Sequence, residues 1–215
     1  MRILGKDEKE MTARREAMLA EGFKLFAERG IEGVAMLEVA KACNLGIATL
    51  YRYYNTKLAL VLAIGTRQWA DYIQYARELR KERDMENATA AVELEFFLDF
   101  FIDLYQNHKD LLRFNQDFNN YVQHEVATPE QLKPYVMAIG GMGYFFHNVY
   151  KKGQRDGTIR TSMPEDKMLA ATSHIMLAVA VRYAQGLLIM ADNEADRTEE
   201  FELLKRTILK EFVVE

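Results

Sequence analysis

Asn44-Leu45-Gly46-Ile47-Ala48-Thr49-Leu50-Tyr51-Arg52-Tyr53-Tyr54-Asn55-Thr56-Lys57 is the stretch that decides the fold. Asn44-Leu45-Gly46 reads as a turn, because Asn tolerates the left-handed backbone that such a turn needs. A short helix follows from Ile47, and another begins at Lys57. Leu50 and Tyr54 turn inward, and Leu45 plugs the same small core. Thr49, Tyr51, Arg52 and Tyr53 are left to face a ligand that wants hydroxyls, rings and a cation. Duplex DNA is such a ligand: its phosphates accept hydrogen bonds and its major groove admits one helix.

Working outward toward the N-terminus, residues 36–43 form a short helix with Met36, Val39 and Ala40 inward, which completes a helix-turn-helix. Before it, a helix from about Thr12 to Arg29 carries Met18, Leu19, Gly22, Leu25 and Phe26 on one face and stops at Gly30. Toward the C-terminus the chain reads as helical almost throughout. Helices are predicted from Lys57 to about Arg83, Asn87 to Gln106 and Asp110 to His124. Of these, 87–106 is apolar nearly all round, the mark of a central, buried helix. Thr128-Pro129-Glu130-Gln131 and Ser162-Met163-Pro164-Glu165 both fit a capped helix start. Between them a helix ends near Gly153 and Asp156-Gly157 makes a turn. The last two helices, about Glu165–Ala191 and Asn193–Val213, carry apolar stripes. One stripe is Met168, Leu169, Thr172, Ile175, Met176, Val179, Tyr183 and Leu187; the other is Phe201, Leu204, Ile208 and Phe212. The expected fold class is all-α, with about nine helices: a helix-turn-helix head over residues 1–56 and a helical body over 57–215.

Composition agrees. The 215 residues are 49% hydrophobic and 28% charged, with three prolines and twelve glycines, which suits a helical globular chain. The single cysteine, Cys43, excludes an intrachain disulfide framework and fits a reducing, cytoplasmic setting. Residues 1–10 are too charged for a secretory leader, and no apolar run approaches the ~20 residues that span a bilayer. The net charge of −4 hides an asymmetry: residues 1–60 hold 10 Lys+Arg against 8 Asp+Glu, the remainder 18 against 24. A mildly basic head on an acidic body can bind DNA while the body stays off it.

The head resembles the TetR family of transcriptional regulators. The resemblance is carried by Met18-Leu19, by Leu25-Phe26-Ala27-Glu28-Arg29-Gly30, by Val39-Ala40, and by Thr49 through Lys57. It covers about the first quarter of the chain. The body matches the family by helix count and length alone. The resemblance implies a homodimer that binds double-stranded operator DNA and a small-molecule effector, most simply as a repressor. It implies phosphate contacts from Thr49, Tyr51, Tyr53 and Lys57, with Ile47, Ala48 and Arg52 as readers of sequence. Two hydroxyls usual in the family are missing: Ala35 and Gly46 stand at the starts of the two short helices. That leaves a second reading, a helical small-molecule-binding protein whose DNA binding is weak or lost, or DNA contacts moved to an N-terminal arm bearing Arg2, Lys6 and Lys9.

In the body, Phe97, Phe100, Phe101, Phe114, Phe118, Tyr121, Phe145 and Tyr150 are the candidate lining of a pocket for an apolar or aromatic effector. The same rings serve equally as core. Gly140, Gly141 and Gly143 are read as close helix packing or as space for a ligand, with packing preferred. The four histidines lack ligand spacing, so no metal and no cofactor is expected. No catalytic constellation stands out, and an enzyme is not expected. The stripes of the last two helices suit packing on the body or a two-fold bundle between subunits; the bundle is preferred, and it would set two recognition helices about 34–36 Å, or a multiple of that, apart.

Overall fold

The computed structural model describes residues 4–186 and 194–214. Nine helices occur among them: α1 (Leu4–Arg29), α2 (Met36–Ala42), α3 (Ile47–Tyr53), α4 (Lys57–Glu82), α5 (Ala90–Asn107), α6 (Lys109–His124), α7 (Pro129–Asp156), α8 (Glu165–Gln185) and α9 (Glu194–Phe212). Extended pairing among the described residues is one antiparallel bridge, Ile159 with Val213. The all-α class is as expected, and no described helix is long and apolar enough to cross a membrane. The chain divides into two compact units, residues 1–70 with 113–138 and residues 71–112 with 139–215. The boundary expected at 56/57 falls inside the first.

In the first unit, Met18, Phe26, Val34, Val39, Leu50 and Leu60 are fully buried. α1 starts eight residues earlier than the apolar pattern indicated, because its first two turns are charged and carry no stripe to read. It stops where Gly30 takes φ +77°, a conformation that costs glycine little. α2 begins at Ala35 without a hydroxyl cap. Glu38 keeps the other half of a capping box: its carboxylate accepts the Ala35 N–H at 2.8 Å and pairs with Arg29 at 2.7 Å. The Ala35 bond and the Arg29 guanidinium hold that carboxyl below its ordinary pKa. Further along, Trp69 Nε1 and the Tyr135 hydroxyl both donate to Asn115 Oδ1, at 3.2 and 3.0 Å, which satisfies a buried amide oxygen. The start of α7 is capped as the sequence indicated: Thr128 N–H donates to Gln131 Oε1 at 2.9 Å and Gln131 N–H to Thr128 Oγ1 at 3.3 Å.

The second unit is organised on α5, which buries eleven of its eighteen residues. α8 and α9 pack on it and on each other. Met168, Thr172, Met176 and Tyr183 of the α8 stripe, and Phe201, Ile208 and Phe212 of the α9 stripe, are buried within the chain. Tyr105 stacks on Phe201 at 5.4 Å and meets Tyr183 edge-on at 5.8 Å. Ile175 and Leu203 are left exposed, while Leu187 lies outside the described residues.

Two predicted helix signals resolve differently. α8 starts at Glu165 with Pro164 as its N-cap, so Ser162 is too far upstream to cap it. Glu165 instead meets His147 Nδ1 at 2.9 Å. α7 does not stop at Gly153 but continues to Asp156. Gly153 is required there because a Cβ would come within 2.2 Å of Ile159 Cγ1. Gly141 has the same reason, since its Cβ would lie 2.6 Å from Ile73 Cγ2, whereas nothing crowds Gly140.

Buried charge in this unit is matched. Glu93 pairs with Arg80 and, at 3.1 Å, with Lys152. Lys152 Nζ also donates to the carbonyls of Met85, Glu86 and Ala88 at 2.9–3.0 Å. Lys205 is held by Asp99 at 2.9 Å and Glu202 at 3.2 Å. Burial opposes its charge, but those carboxylates outweigh burial and raise its pKa.

Candidate nucleic-acid interface

α3 is short because two turns suffice to hang four side chains on one anchor. Leu50 is fully buried and Tyr54, the C-cap, nearly so. Asn44 takes φ +54°, the left-handed turn its side chain tolerates. With that anchor inward, Ala48, Tyr51 and Arg52 are exposed, and Ile47, Thr49 and Tyr53 are half-buried. Leu45 is half-buried too, a weaker plug than its type suggested. Gly46 caps α3 with backbone only.

Arg52 Nη2 donates to Thr49 Oγ1 at 3.2 Å, so the guanidinium and the hydroxyl share one patch. Lys57 is held more closely than an ordinary surface lysine. Its Nζ lies 3.5 Å from the Glu32 carbonyl, 5.9 Å from the Phe26 ring centroid and 5.6 Å from that of Tyr121. Burial lowers its pKa, with Glu32, Glu125 and Glu38 opposing. Just before it, Thr56 Oγ1 accepts the Ala59 N–H at 3.0 Å, capping α4.

The sequence alone did not bring α1 to this patch. Glu10, Met11, Arg14, Arg15, Arg52 and Tyr53 line a cleft of ≈ 470 Å³. Three guanidiniums thus gather beside Tyr53, one of them loosely paired with Glu10 at 3.7 Å. The adjacent Arg14-Arg15 was the available signal. It was missed because the charge on α1 was sought at Arg2, Lys6 and Lys9; Arg2 lies outside the described residues, and Lys9 sits exposed on α1.

The eight aromatic candidates for an effector pocket are all buried and fall into both units. In the first unit, Phe114 meets Phe23 edge-on at 5.6 Å, Phe118 stacks on Tyr135 at 4.3 Å, and Tyr121 sits against Lys57. In the second, Phe97 contacts Phe101 and Phe146, and Phe100 contacts Phe145, all edge-to-face, the arrangement that aromatic quadrupoles favour. The Tyr150 hydroxyl lies 3.0 and 2.8 Å from the carbonyls of Thr161 and Met163, tying down the turn before α8. Tyr105 was not singled out from sequence. Its hydroxyl is buried without a hydrogen-bond partner among the described residues, a placement that costs roughly 1–3 kcal/mol and that phenylalanine would avoid.

Residues 18–64 match the family described as bacterial regulatory proteins, tetR family. An HTH-type transcriptional regulator of Staphylococcus aureus (strain MRSA252) is 28% identical over 169 residues, 78% of this chain and 80% of that protein. Among solved structures, the transcriptional regulator FadR from Bacillus subtilis, determined in complex with stearoyl-CoA, superposes with a TM-score of 0.70 at 15% identity, covering 91% of this chain and 98% of that one. The ketosteroid transcriptional regulator KstR2 of Mycobacterium tuberculosis gives 0.66 at 16% identity, covering 94% and 96%. At these identities the structural likeness speaks to the fold.

Proposed function

The chain belongs to the TetR family of transcriptional regulators, and from that premise we propose that it is a homodimeric repressor released from its operator by a small apolar effector. One observation carries the DNA-binding part: α3 buries a single side chain, Leu50, and turns Thr49, Tyr51, Arg52 and Tyr53 away from it. In this reading Thr49, Tyr51 and Tyr53 hydrogen-bond phosphates, and Lys57 meets a further phosphate at the start of α4. Arg52, Ile47 and Ala48 read base edges; an arginine bidentate to guanine discriminates by about 1–3 kcal/mol. Arg14 and Arg15 join the phosphate contacts.

The effector part is supported by the orphaned Tyr105 hydroxyl of the second unit, which a polar group of a ligand would satisfy. The solved relative bound to stearoyl-CoA supports an apolar effector. α4 is the route of the signal. It begins at Lys57 and also bears Tyr72, whose hydroxyl donates to the Phe100 carbonyl at 2.7 Å. An effector acts only by preferring the state that does not fit DNA. In this reading the subunits meet through α8 and α9, which the exposed apolar residues Ile175 and Leu203 support.

The test is binding of the purified protein to DNA from just upstream of its own gene, against shuffled DNA, over a salt series. Saturable, sequence-dependent binding that falls steeply with salt is expected, because each neutralised phosphate adds about −0.9 to the log–log slope. Weak binding indifferent to sequence would overturn the reading. It would favour instead a small-molecule-binding protein without an operator, the alternative that the missing hydroxyls at Ala35 and Gly46 support.

A further inference from the structure

The first unit holds a second concavity, unlike the arginine-lined cleft. It is an open groove of ≈ 570 Å³ between α1, the first half of α4 and the start of α7. Its wall is almost wholly apolar: Leu19, Tyr54, Leu62, Ala63 and Pro134 contribute, with small residues along α4 leaving the space open. Two cations stand on it. Arg67 pairs with Glu16 at 2.7 Å, so its charge is matched. Arg15 is exposed and makes no ion pair among the described residues. An apolar trough of this size suits a small-molecule ligand, and one unmatched guanidinium at its rim suits a carboxylate, which arginine binds in bidentate fashion.

We propose that this groove binds an amphipathic monocarboxylate, an apolar chain or ring system ending in one carboxylate, with the carboxylate on Arg15 and the apolar part along Leu62 and Ala63. Arg15 also lines the cleft with Arg52 and Tyr53, and the groove wall includes Tyr54, the residue that ends α3. Occupancy therefore withdraws a cation from the patch assigned to phosphate contact and loads the anchor of α3. The ligand and DNA compete for one side chain, with no change in the second unit required. This consequence rests on the proposed DNA-binding role, whereas the site itself does not.

Decanoate is the probe, titrated into the full-length protein by calorimetry without DNA. Decanol serves as the uncharged control, and Arg15→Gln and Ala63→Phe as variants. Arg15→Gln is expected to weaken decanoate at least tenfold while leaving decanol unchanged. Ala63→Phe, which fills the groove, is expected to weaken both. In a separate DNA titration, decanoate is expected to lower the affinity of the wild type and not that of Ala63→Phe. The proposal is overturned if the wild type binds no decanoate at millimolar concentration, or if both variants bind it as the wild type does. A change of molar mass in light scattering on Ala63→Phe would also overturn it, by assigning the groove to a second copy of the chain. DNA binding that fails without decanoate counts against the proposed function and leaves the calorimetric result standing.

Discussion

α3 and α5 use their residues in opposite ways. α3 has seven residues and buries one; α5 has eighteen and buries eleven. A helix that buries one side chain contributes little to stability and has most of its surface free for a partner. A helix that buries most of its side chains is fixed by packing, and its ring chemistry says little about ligands. Function is therefore easy to see in the weakly packed helix and hard to see in the well-packed one.

The largest expected effect strikes the packed side of this contrast. Phe97→Ala removes a ring wedged between Phe101 and Phe146 and should cost about 3–5 kcal/mol in urea unfolding. A loss below about 1 kcal/mol would mean that α5 lines a cavity there. On the exposed side, Arg52→Ala should leave unfolding within roughly 0.5 kcal/mol of wild type, yet lose about 1–3 kcal/mol of preference at one base pair, read by competition between single-base operator variants. An equal loss on every sequence would demote Arg52 to a phosphate contact.

Lys57→Met keeps an apolar stem against Phe26 and Tyr121 while deleting the charge. It should weaken all DNA alike and reduce the salt slope by about 1; an unchanged slope would show the ammonium to be structural. The smallest effect runs the other way. Ala35→Thr restores a cap to α2 and should add about 0.5–1 kcal/mol of stability by thermal unfolding. No gain would mean that the Glu38 N–H, already on the Ala35 carbonyl at 2.9 Å, needs no hydroxyl partner.

The same contrast explains what the sequence made legible. α2, the turn at Asn44 and α3 were readable because their signals are local: a positive-φ residue, a lone apolar anchor, a spacing of hydroxyls and rings. Thr128 and Gln131 were readable for the same reason, as capping partners three residues apart. Signals that depend on distant chain were not. Ser162 looked like a cap because nothing local reveals that Glu165 is engaged by His147. Gly153 looked like a terminator because its real constraint, Ile159, is a packing contact. The α9 stripe, read for a subunit contact, gave no sign that Phe201 stacks on Tyr105 within the chain. Arg14 and Arg15 were missed at the candidate interface because only the fold brings them to Arg52.

Lys152 holds together a turn to which it does not belong. The carbonyls of Met85, Glu86 and Ala88, just past α4, are satisfied by an ammonium more than sixty residues away in sequence. Contacts at such separation carry a high loop-closure cost and tend to form late in folding. α4 is closed by its own backbone, with Asp84 at φ +50° and the Met85 N–H on the Arg80 carbonyl at 3.1 Å, so what Lys152 adds is a tie from α7 to the turn that follows. Removing the Lys152 charge is therefore expected to speed unfolding more than it slows folding, the signature of an interaction absent from the transition state.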